Sequence, residues 1–166
     1  MTSKEWRKLT DEQVSIIKAH QFTFPIKVGA IAKDFGLIVK SSTLPGNISG
    51  EIKETCGEIV IRVNRHDVKY RQRFTLAHEI SHYLLHRKYI GDGITDDALF
   101  RSKLSSSIES EANSLAADIL MPMHLLAMHK KECEIEIKGE VLYEKLAEDF
   151  EVSLTSLKYQ LEKYRG

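Results

Sequence analysis

The pentapeptide His78-Glu79-Ile80-Ser81-His82 sits in a run from Arg73 to His86 whose other positions include Phe74, Leu76, Ala77, Tyr83, Leu84 and Leu85. A helix that is apolar nearly all round is buried. In a helix the two histidines, four apart, share a face and can offer imidazole nitrogens to one metal ion. Burying two His and a Glu without a metal ion or hydrogen-bond partners is costly. The segment is therefore expected to be a core helix built around a polar centre. H-E-x-x-H also suggests a chemistry: the glutamate next to the first ligand does not bind metal but takes a proton from a metal-activated water.

A catalytic zinc needs three protein ligands and an open position. His86 extends the same helical face, but three successive positions four apart drift around the axis and do not easily converge on a tetrahedral ion. His86 is expected to support a ligand or to be a polar tip at the helix end. A third His six residues past His82 is absent, because position 88 is Lys88. The better candidate is in Ser107 to Pro122, where Ile108, Ala112, Leu115, Ala116 and Ile119 fall at helical spacing, the serines at 105 to 107 supply a cap, and Pro122 marks a stop. Glu109 and Asn113 share a face there, with Asn113 placed to hydrogen-bond a ligand's free atom. Glu111, turned about 200° from Glu109, is expected to point elsewhere.

Arg73-Phe74-Thr75-Leu76-Ala77-His78-Glu79-Ile80-Ser81-His82, followed by Glu109-x-x-Ala112-Asn113-x-Leu115-Ala116-Ala117-x-Ile119-Leu120-Met121-Pro122, resembles the ImmA/IrrE family of metallo-endopeptidases. The resemblance runs from about Pro25 to near the C-terminus; Leu115 stands where the family commonly has Phe. It implies one zinc ion held by His78, His82 and Glu109, and Glu79 as the catalytic glutamate. It also implies site-specific cleavage of a protein substrate, typically a helix-turn-helix repressor or antitoxin encoded nearby. Other outcomes consistent with the motifs are a toxin of a toxin-antitoxin-like pair and a zinc-containing binding module that cuts nothing.

The chain has 166 residues, with 24 basic and 24 acidic side chains. Balanced charge argues against non-specific affinity for nucleic acid or an anionic membrane. Without a long apolar run or an apolar leader near Met1, a cytoplasmic location is expected. Cys56 and Cys133 are far apart and read as free thiols.

The expected fold is α+β: a compact zincin-like unit over residues 1–130, with residues 1–24 as a helical extension, and a helix-turn-helix-like segment over 131–166 packed on it. Thr10-Asp11-Glu12-Gln13 reads as a capping box opening a helix to about His20, and Pro25 as the start of a second helix ending at Gly36. Ser41 to Gly50 reads as a loop, and Gly50 to Thr55 and Glu58 to Val63 as strands joined at Cys56-Gly57. They are expected to form an antiparallel sheet against the His78 helix, its edge open to an added peptide strand. Tyr89 to Asp97 lacks the spacing of a calcium loop and reads as a solvated connection. Arg71 and Arg73 read as structural pairing residues. At the C-terminus, Ala147-x-x-Phe150-x-Val152-Ser153 joins two helices, the first acidic and the second with only Lys158, Lys163 and Arg165 as cations. Partner docking or packing fits that pair better than DNA reading.

Overall fold

A computed structural model describes residues 2–91, 94–97 and 106–165, the segment 94–97 by its backbone. Ser105, expected to contribute to a helix cap, and Asp92 and Gly93 of the loop weighed for calcium lie outside the described residues.

Local capping sets the first elements. After a single 3-10 turn at Trp6–Lys8, α1 (Asp11–Lys18) opens with a complete capping box: Thr10 Oγ1 accepts from the Gln13 N–H and Gln13 Oε1 accepts from the Thr10 N–H. The second helix starts later than Pro25. α2 spans Val28–Asp34, and Pro25, joined to Phe24 by a cis peptide, belongs to the turn before it. Gly36, at φ +76°, ends α2 in the left-handed region that favours glycine.

Four strands follow: β1 (Ile38–Ser42), β2 (Ile48–Thr55), β3 (Glu58–Asn64) and β4 (Ile94–Asp97), in the order β1-β3-β2-β4. β2 and β3 form an antiparallel hairpin through Cys56 and Gly57, both at positive φ, with Ile52 opposite Ile61. The expectation of a purely antiparallel sheet needs correction. β2 takes one side of β3, so β1 pairs with the other side and runs parallel to it, Ile38 opposite Val60. β1 includes Ser41 and Ser42 of the expected loop, β2 begins at Ile48, and β4 lies in the expected solvated connection, pairing antiparallel with β2.

The alternation of β3 buries Ile59, Ile61 and Val63 on the face that meets α3 (Lys69–Leu85), where Leu76, Ala77 and Ile80 complete the core. α3 lies close to β2 at Gly50, where a Cβ would overlap the Thr75 methyl and come within 3.7 Å of Glu79 Cγ. α4 (Ser106–Leu120) packs along α3. Pro122 ends α4 and is also the N-cap of α5 (Met123–Cys133), a helix the periodicity did not suggest. The expected division after residue 130 falls in the last turn of α5.

α6 (Glu140–Phe150) ends at Glu151, which takes a left-handed φ of 52°, and Ser153 Oγ caps α7 (Leu154–Lys163) by accepting from the Ser156 N–H. Leu146, Phe150 and Leu157 join the same core as α3 and α4. Arg73 is a structural pairing residue: it donates to the Ile26 and Glu151 carbonyls and faces the Glu151 carboxylate, tying α3 to the α2 turn and to the α6–α7 junction. No helix among the described residues is long and apolar enough to cross a membrane.

Candidate metal centre

His78 and His82 project from the buried stretch of α3 and meet Glu109 from the first turns of α4. His78 Nε2 lies 3.1 Å from Glu109 Oε2, His82 Nε2 lies 3.2 Å from Glu109 Oε1, and the two Nε2 atoms are 3.1 Å apart. Zinc bonds of about 2.0–2.1 Å at the tetrahedral angle separate neighbouring ligand atoms by about 3.3 Å. The triangle has nearly that size. The three residues are one of two groups among the described residues able to hold a metal ion.

The outer atoms of each imidazole are tied down. His78 Nδ1 is 2.8 Å from Asn113 Oδ1, so its N–H donates outward and the Nε2 lone pair faces the centre. His82 Nδ1 is 2.9 Å from His86 Nδ1; His86 Nε2 is 3.3 Å from Glu111 Oε1; the other Glu111 oxygen meets Lys8 Nζ. Burial holds the His82 imidazole below its ordinary range despite the Glu109 contact, and burial does the same to His86 despite Glu111. His82 is thus neutral at pH 7, the form that ligates metal. For Glu109, burial alone would raise the pKa, but the contacts with His78 and His82 outweigh it and hold the carboxyl well below the carboxylate range.

Three acceptor atoms converge where few protons are available to separate them, and a cation suits that arrangement. Thiolates are absent from the triangle, and two imidazoles with one carboxylate form the donor set of a hydrolytic zinc. Glu79 is fully buried one residue from His78, behind it the close approach of β2 at Gly50. A cleft of about 330 Å³ opens beside His78 and Asn113, walled by Ser49, Tyr70, Arg71 and Phe74. Larger hollows lie along the seam of the N-terminal segment with α4 and α7, and between α5 and the last two helices, away from the triangle.

Sequence spacing grouped His78, His82, Glu109 and Asn113, which lie together in the structure, with His86 against His82. It missed Glu111. That residue turns away from the triangle, as its helical position requires, yet reaches His82 through His86. Lys8 lies too far away in sequence for spacing to reveal it. Of the other side chains near the end of α3, His86 is committed to His82 and Glu111, and Tyr83 packs against Phe35 under Arg87.

The model of a peptidase family described as the IrrE N-terminal-like domain matches residues 32–162. The chain belongs to this IrrE-like peptidase family. A Mycobacterium tuberculosis transcriptional regulator of solved structure superposes with a TM-score of 0.62 at 15% identity, covering 94% of this chain and 47% of that one. At that identity the likeness is one of fold, and the chain spans about half the length of the regulator. No curated protein matches the chain. Membership in the IrrE-like family makes the chain a peptidase-family protein, and the His78, His82 and Glu109 triangle could hold a metal ion. α3, α4 and the His78, His82 and Glu109 triangle all lie within the matched span, while Lys8 lies outside it.

Proposed function

We propose that this chain is a zinc-dependent endopeptidase carrying out site-specific regulatory proteolysis, and that its substrate is a helix-turn-helix transcription regulator or antitoxin. The observation that carries the reading is the convergence of His78 Nε2, His82 Nε2 and Glu109 on one point, with Glu79 buried beside them.

His78, His82 and Glu109 would hold the ion, and Asn113 fixes the tautomer of His78. A zinc ion there supplies a Lewis acid and a water of lowered pKa. Glu79 takes the proton of the attacking water and returns it to the departing amine, so one carboxylate serves as base and then acid. β4 is an edge strand and pairs with the Ile48–Ile52 stretch of β2 that abuts Glu79 at Gly50, so an extended peptide added to that edge would run beside the cleft. Such backbone pairing holds a substrate without reading each side chain.

Direct nucleic-acid binding is not part of this reading. The cations of α7 and of the residues just after it are already paired: Lys158 with Glu140, Lys163 with Asp118 and Arg165 with Glu162. A cytoplasmic site of action follows from a transcription-regulator substrate.

The test is cleavage of the regulator encoded beside the gene, read by intact mass. Wild type should give one discrete cut. Glu79→Gln keeps the size and hydrogen-bonding capacity of the side chain but cannot accept the proton, so the rate should fall by about 10²-fold or more, with zinc content and melting temperature unchanged. Cleavage by Glu79→Gln at the wild-type rate would sink the mechanism.

A further inference from the structure

The second group of converging ligand atoms lies on other elements, where α5 packs against α6. His129 and Cys133 are one helical turn apart on α5 and therefore share a face. Asp149, near the end of α6, faces them. His129 Nε2 is 2.7 Å from Asp149 Oδ2 and 3.6 Å from Cys133 Sγ, and all three ligand atoms lie within 4.8 Å of one another.

The arrangement is not that of a cysteine nucleophile with its base. There the imidazole would meet the thiol through one nitrogen and the carboxylate through the other. Here sulfur lies beside the ring, 3.6 Å from Nε2 and 4.0 Å from Nδ1, nearer the nitrogen that also meets the carboxylate, and a turn about the Cys133 Cα–Cβ bond would bring it toward an ion held at Nε2. Zinc bonds of about 2.0–2.1 Å to nitrogen and about 2.3 Å to sulfur place the two atoms about 3.5 Å apart at the tetrahedral angle, close to the observed 3.6 Å. The imidazole–carboxylate pair would open from hydrogen-bond distance to about 3.3 Å, a shift within the reach of an Asp149 side chain at a helix surface.

In the absence of metal the 2.7 Å contact holds a proton between Nε2 and Asp149; an ion would displace it, and Nδ1, which faces the Glu132 carboxylate at 3.7 Å, could then carry the ring proton. Phe24 packs on the imidazole, its ring centroid 4.4 Å away, and limits its rotation. Lys145 also contacts Asp149, but its ammonium is 45% exposed and can turn to solvent.

We propose that His129, Cys133 and Asp149 form a second metal site, for one zinc-class divalent ion, that pins α5 to α6. The thiol selects against magnesium and calcium and for a borderline-soft ion. Binding converts the Cys133 thiol to a zinc-bound thiolate and releases its proton to solvent, with no change of oxidation state. With three protein ligands the site keeps one position for water, which suits reversible occupancy better than permanent stapling. Occupancy would stiffen the helix that leads into the C-terminal pair, so the packing of that pair would respond to metal supply.

Cobalt substitution of the full chain gives the decisive readout. After chelator stripping, two equivalents of Co2+ should bind, and a thiolate-to-cobalt charge-transfer band should appear in the near ultraviolet. The band should vanish in Cys133→Ser, with bound metal falling from two to one, and should persist in His78→Ala. A second measurement needs no variant: zinc should slow alkylation of Cys133, mapped by mass spectrometry, at least about tenfold while leaving the exposed Cys56 unaffected. A band missing from wild type, a band surviving in Cys133→Ser, or equal alkylation rates with and without zinc would each overturn the proposal. The triangle of His78, His82 and Glu109 contains no sulfur, so these outcomes leave the peptidase reading untouched.

Discussion

Glu109 and Asp118 are carboxylates on one helix, α4, and their surroundings differ in kind. Asp118 is filled with donors: Gln160, Lys163 and Tyr164 all reach Oδ1 at 2.8–3.0 Å, and Ser3 Oγ donates to Oδ2. Among the described residues, the Glu109 carboxylate meets two imidazole nitrogens, one of them on the neutral His82. Both acids are shielded from solvent, so burial does not separate their roles. Donor supply does. A carboxylate whose lone pairs are matched by an ammonium, an amide and two hydroxyls is a structural rivet. One that shares its space with other acceptors is poised for a cation.

The comparison breaks most visibly at Asp118. Asp118→Ala takes the carboxylate from Lys163, which keeps only the Ser114 oxygens, and strips Gln160, Tyr164 and Ser3 of the same acceptor, so the protein should lose about 3–5 kcal/mol of stability in urea unfolding. Once folded, it should bind zinc as wild type does. Glu109→Ala should do the reverse, lowering zinc affinity by more than the roughly 10- to 100-fold typical of outer partners while the metal-free protein unfolds near the wild-type midpoint. Equal losses of zinc affinity in the two variants would dissolve the distinction between rivet and ligand.

Gly50→Ala probes the wall behind the site. The added methyl meets the Thr75 methyl and the Arg62 carbonyl, so α3 must shift from β2, at a cost of about 1–3 kcal/mol. Because α3 carries both histidines, cleavage should suffer as well, and a variant with wild-type melting temperature and rate would show the close contact to be unimportant. The smallest expected effect is at Glu111. Lys8 holds its carboxyl below the ordinary range, and it steadies His86, which steadies His82. Glu111→Ala should weaken zinc binding about tenfold, the lower end for an outer partner, with little change in stability. Unchanged affinity by chelator competition would confine Glu111 to surface pairing.

What the sequence revealed depended on how local the physics was. The capping box at Thr10, the break between the two C-terminal helices at residues 151–153 and the helical faces holding His78, His82, Glu109 and Asn113 are set by neighbours within a turn or two. β1 was not visible because Ile38 to Ser42 is half polar and mostly exposed, and its pairing with β3 depends on where β2 lies. β4 has only Ile94 as an apolar residue, and its register is fixed by β2, from which β3 and α3 separate it in sequence. Pro122 signals both a stop and a start, and only the stop was apparent. The chain from His82 through His86 and Glu111 to Lys8 spans three separate segments, so no spacing rule could have assembled it.

That last link has a practical side. The family match begins at residue 32, but Ser3 reaches Asp118, Glu5 accepts from Ser114, and Lys8 meets Glu111, all on α4. A fragment cut to the matched span would retain every residue of the metal triangle and lose the side chains that brace the outer face of the helix bearing Glu109. Zinc affinities measured on such a fragment would describe a differently supported α4, and an N-terminal tag that disturbs residues 3–8 could mimic a mutation near the metal centre without touching it.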